Sequence, residues 1–122
     1  MRARILLLTS LVALLLHVFV GWEWSPLAAI VGGYLHRSNG AALGSLSVGL
    51  VWAGLVFFNL LAAPAQVLEM ASVVGALMGN FPDWTVFLAS ILIGSTLGAV
   101  AGLLGQSLSA LNLFKTTIKH GQ

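Results

Sequence analysis

Apolar residues fill four long stretches of the chain, and polar residues collect in the short gaps between them. The stretches run roughly over 4–21, 25–36, 41–62 and 84–107, and each is expected to be a helix. Within the last of them Ser90, Gly94, Gly98 and Gly102 recur every fourth residue, and Gly105 and Ser109 continue the strip. In lipid, helices gain little by burying apolar side chains against one another, so they associate where small residues let two backbones approach. The strip is therefore a contact face. On the third stretch Ser45, Gly49, Trp52, Val56 and Asn59 share one face by the same spacing, and that face is the expected partner. Asn59 is expected to supply an interhelical hydrogen bond.

The remaining elements follow from the gaps. In the first stretch Ala3, Leu6, Ser10, Ala13 and His17 fall on one face, which should point inward. The apolar run is long for a signal core and no small-x-small cleavage pattern follows it, so it is expected to be a retained helix. Ser25-Pro26 reads as an N-cap with proline in the first helical turn. The second helix is short, with Ala28, Ala29, Gly32 and Gly33 as close-approach surfaces, and the polar turn 36–40 joins it to the third. Pro64 ends the third helix. From 65 to 79, Val67, Met70, Ala71, Val74 and Met78 group on one side and Gln66, Glu69 and Ser72 on the other, which predicts an interfacial amphipathic helix. The turn 80–83 leads into the last helix, which can continue to Phe114 before a tail at 115–122.

Composition makes the solvent a membrane. Of 122 residues, 59% are hydrophobic and 7% charged, and the mean hydropathy is +1.04; a soluble domain carries about 25% charged residues. The expected fold is an all-α integral membrane protein, a single domain over 1–122. It is a four-helix transmembrane bundle with a short second helix and an interfacial helix between spans three and four. With four spans, Arg2, Arg4, Arg37, Lys115 and Lys119 fall on one side and Glu23, Glu69 and Asp83 on the other. Basic residues near short loops stay inside, which predicts a cell-membrane protein with both termini cytoplasmic. A three-span arrangement strands Arg37 outside.

Candidate chemistry is sparse. The chain has no cysteine, which removes thiolate catalysis and cysteine metal sites. It carries no GxSxG, HExxH, phosphate-loop or dinucleotide fingerprint. The expectation is a non-enzyme without cofactor, metal or nucleic-acid partner. Its environment is the lipid bilayer. The small-residue faces outnumber the helices available to cover them, so association is expected with copies of the chain or with a larger membrane complex. The function expected is that of an accessory, scaffolding or assembly subunit acting through glycine-mediated helix packing. The competing expectation is a small homo-oligomeric channel or transporter, with a polar path through Ser10, His17 and Asn59, joined by Ser90 or Thr96. Trp22, Glu23, Trp24, Glu69, Met70, Met78, Phe81, Asp83 and Trp84 are all expected at the outer interface as an aromatic belt with an interfacial helix; the alternative has helix 65–79 folded over the bundle as a lid.

Overall fold

A computed structural model describes residues 3–120 of the chain, with side chains through Leu111. The described residues form five α-helices: α1 (Ala3–Phe19), α2 (Ser25–His36), α3 (Gly40–Ala62), α4 (Pro64–Leu77) and α5 (Asp83–His120). A single 3₁₀ turn, Trp22–Trp24, joins α1 to α2. No strand occurs among the described residues. Two helices are long and apolar enough to cross a membrane, Gly40–Ala62 and Asp83–Leu111; α1 and α4 are shorter apolar helices.

Local chemistry sets the boundaries. Arg37 adopts a left-handed conformation (φ 59°) and its N–H closes α2 onto the Gly33 carbonyl. Pro64 lacks an N–H, so it cannot extend α3 and instead opens α4, where no intrahelical partner is needed. After α4, Gly79 (φ 113°) and Asn80 (φ 60°) reverse the chain, and the Phe81 N–H returns to the Gly75 carbonyl at 3.0 Å. Ser25 departs from the N-cap expectation. It is already helical and fully buried, and its hydroxyl donates back to the Trp22 carbonyl at 2.7 Å instead of capping forward N–H groups. The helical backbone of α5 runs to His120, so the expected tail at 115–122 does not begin as a separate segment at Lys115. Arg2, and the side chains of Lys115 and Lys119, lie outside the described residues.

The core is made of backbone. α5 runs antiparallel to α3 and fills the crease between α2 and α3. Side-chain carbon at Gly33 or Gly40 would strike the Gly102 carbonyl, at Gly44 the Gly98 carbonyl, and at Gly105 the Ile30 carbonyl. Three helix backbones therefore meet at Gly102. The contact line on α3 is Gly40, Gly44, Val48 and Trp52, with Gly49 flanking it against Ser95. This corrects the expected face through Ser45, Val56 and Asn59. Ser45 is only half-buried and Asn59 exposed, because the pair of glycines at 40 and 44 permits a closer approach than a serine does. Gly94, the next small residue of the strip, is the seat of the Trp52 ring.

α1 lies outside this core, across α2 and α3. Ala13 packs with Ala28 and Val51, and Thr9, absent from the expected inward face, sits over Gly32 and Leu43. Ala3, placed on that face by spacing, is exposed. Most of the small-residue surface is consumed within the chain: Ala28, Ala29, Gly32, Gly33, Gly94, Gly98, Gly102, Gly105 and Ser109 are buried, while Ser45 and Ser90 are half-buried. The reason is that α5 serves α2 and α3 at once.

Gly98→Leu or Gly102→Leu is expected to destabilise the bundle by at least about 1–3 kcal/mol, since the opposing atoms are backbone and cannot step aside. Gly54→Ala, where a new Cβ would meet nothing within 4 Å, is expected to unfold in detergent at a temperature no lower than the wild type, and to be up to about 1 kcal/mol more stable, because alanine is the better helix former.

Candidate functional site

The residues of the expected polar path fall in two separate places. The first is the seam between α1 and α3. His17 meets Trp52 edge to face, with ring centroids 5.6 Å apart, and Trp22 meets the same indole at 6.2 Å. Trp52 is held from behind by Gly94, which leaves room for the ring. His17 Nδ1, Trp52 Nε1 and Ser10 Oγ are all buried without a hydrogen-bond partner. Alongside this seam a groove of about 670 Å³ opens between α1 and α3, and Ser10 contributes to its wall.

The second place is a cleft of about 220 Å³ under α4, bounded by Asn59 and Val56 of α3, Val86 and Ser90 of α5, and Met70 and Val74 of α4. Asn59 is exposed there; its backbone carbonyl accepts the Ala63 N–H at 2.9 Å, and its carboxamide makes no hydrogen bond within the described chain. Ser90 is turned onto its own helix, donating to the Val86 carbonyl at 2.9 Å, and Thr96 likewise donates to Leu92 at 2.8 Å. Ser10 and His17 thus border the α1 side of α3 and Asn59 the α4 side. The structure does not bring the three together in one cavity.

The aromatic and acidic residues expected at a common interface also separate. The Trp22–Trp52 contact places the α1–α2 connection part-way along α3, with Ala62 about 15 Å further on. Trp22, Glu23 and Trp24 are exposed at that intermediate level. Met70, Met78, Phe81 and Trp84 are exposed on α4 and the turn into α5, where Glu69 and Asp83 also lie. The cause is length: α2 has 12 residues, about 18 Å of helix, against about 34 Å for the 23 residues of α3.

One polar residue with a defined task was not singled out by the sequence patterns. Gln106, one residue beyond the Gly105 contact, accepts the Gly40 N–H on Oε1 at 2.8 Å and donates from Nε2 to the Ser38 carbonyl at 3.5 Å. The first N–H groups of a helix have no intrahelical partner. Gln106 supplies one for α3 from a helix 66 positions away and ties the α2–α3 turn to α5. Its signal was a lone amide between apolar residues, facing a turn rich in unpaired backbone groups.

Among the described residues no group of three or more His, Cys, Asp or Glu side chains is placed to hold a metal ion. No family model, curated protein or solved structure matches the chain.

Gln106→Leu is expected to cost about 1–3 kcal/mol, the range for stranding a buried donor, and to speed hydrogen exchange at Gly40 above that of the α3 midpoint. His17→Phe keeps a ring against Trp52 and removes an unpartnered nitrogen. Thermal unfolding of that variant is expected at or above the wild-type temperature, and a fall of several degrees would assign the imidazole a partner.

Proposed function

We propose that the chain is a multi-pass protein of the cell membrane that acts as an accessory, scaffolding or assembly subunit, without catalysis of its own. The observation that carries this reading is Asn59: a carboxamide on the exposed side of α3, lacking a hydrogen bond within the described chain and flanked by exposed Phe57 and Phe58. In an apolar solvent such a group is satisfied by another helix, at about 0.6–2 kcal/mol per contact. The glycine strip makes the fold rigid enough to present it, since the strip is spent on internal packing and leaves association to the outer surface.

The membrane part of the reading rests on dimensions and charge. α3 and α5 exceed the hydrocarbon thickness of about 30 Å, while α1 and α2 are shorter and pair as a hairpin against them. Arg4 and Arg37 occupy the end of the bundle where α1 starts and α2 turns into α3; Glu69 and Asp83 occupy the α4–α5 end. This asymmetry favours both termini on the cytoplasmic side, and it is the same whether the α1–α2 hairpin crosses the bilayer or enters only part-way from that side. The channel or transporter alternative draws less support, because Ser10 and Asn59 border different cavities.

If Asn59 engages a partner helix, Asn59→Leu is expected to strip co-purifying protein or lower the oligomeric mass in mild detergent, while Asn59→Gln retains it. A wild-type chain that runs as a bare monomer, indistinguishable from Asn59→Leu, would overturn the assembly role. For topology, a cysteine placed at Ser38 is expected to react with an impermeant maleimide only after the cells are opened.

A further inference from the structure

The groove between α1 and α3 has a direction. On α1, Arg4, Leu7, Leu11, Leu14 and Val18 succeed one another at spacings of three and four, so they form a single stripe along the helix. The four apolar members line the groove, and Arg4 stands one turn beyond its end. On the α3 side the wall includes Leu50 and Phe58, with Gly54 between them. Gly54 differs from the buried glycines of the bundle: a Cβ there would meet nothing within 4 Å. It keeps the groove open instead of closing a helix contact.

We propose that this groove binds one anionic phospholipid, an acyl chain lying along the Leu7–Val18 stripe and the phosphate held by Arg4. The inference rests on the membrane setting argued above and is independent of the assembly role. A volume of about 670 Å³ falls within the range of about 300–1,000 Å³ typical of small-molecule sites, with walls as apolar as those sites require. Charge decides the headgroup. Arg4 is exposed, and the acidic residues of the chain, Glu23, Glu69 and Asp83, lie at the α1–α2 connection or on α4 and at the start of α5. Basic groups at the cytoplasmic end of helix pairs attract anionic headgroups. Charge also disfavours a second copy as occupant. Two chains oriented alike in one membrane and meeting through this groove about a two-fold axis would set Arg4 against the other copy's Arg4.

The test is native mass spectrometry of the detergent-purified protein, titrated with phosphatidylglycerol or with phosphatidylcholine of the same chains. One phosphatidylglycerol per chain is expected, bound about fivefold more tightly than phosphatidylcholine, the advantage of a single arginine near a charged surface. Gly54→Phe, whose ring would occupy the groove, should weaken both lipids about tenfold or more. Arg4→Gln should abolish the difference between them while sparing chain binding. Thermal unfolding checks that each variant is folded, and Leu14→Trp replaces Gly54→Phe should that variant fail. The proposal is overturned by undiminished lipid binding in the filled-groove variant, by headgroup preference surviving in Arg4→Gln, or by Gly54→Phe splitting an oligomer, which would make the groove a protein interface. Recovery of the wild-type chain in the soluble fraction of lysed cells would instead remove the membrane setting itself.

Discussion

The structure depends on backbone touching backbone at Gly102. Gly33 from α2 and Gly40 from α3 both press on that residue's carbonyl, and the Gly44–Gly98 contact lies one turn along. An α-helix carries side chains out to a diameter of about 10–12 Å, and only where glycines face each other can axes draw in until main-chain atoms meet. Dispersion gains accumulate over such a contact without needing water to be expelled. That makes this packing suited to a surface whose exterior is as oily as its interior. Leu43 and Val48 are the largest apolar side chains fully buried, so little else holds α2, α3 and α5 together.

This core constrains the remaining helices. Because α5 occupies the crease between α2 and α3, α1 can reach only the outer flank of that pair, and its seam with α3 is left imperfect. The orphan nitrogens of His17 and Trp52 and the open groove beside them are products of that arrangement. A short α2 also stops the α1–α2 hairpin near Trp52, leaving the far ends of α3 and α5 to be covered by α4. The bundle is therefore built in two levels. Polar residues that share a helix face in projection, such as Gly49 and Asn59, end up facing different neighbours: Ser95 for the first and the α4 cleft for the second.

Much of the secondary structure was legible because each boundary has a local cause. Arg37 and the polar turn around it, Pro64 and the Gly79-Asn80 reversal bracket helices whose limits differ from the sequence reading by one or two residues. The glycine strip was legible as a packing face for the same reason: a run of small residues at a four-residue interval is a property of one helix. What could not be read was which rotation of α3 it would meet. A one-residue shift turns a helix by about 100°, and Ser45-Gly49 and Gly40-Gly44 are both small-residue pairs on neighbouring faces.

By itself, then, the sequence determined an all-helical chain, the turns that separate its helices and the existence of a small-residue contact strip, though not the end of α5, since these turns and this strip follow from interactions within a turn or two. Tertiary structure alone decided that the strip is satisfied internally by two helices at once, that Thr9 and not Ala3 faces inward, that Gln106 caps α3, and that Ser10 and Asn59 lie on opposite flanks. Those outcomes depend on depth and rotation between helices far apart in the chain. Both quantities are set by how closely particular glycines allow backbones to approach, and neither is written in the spacing of residues along any single helix.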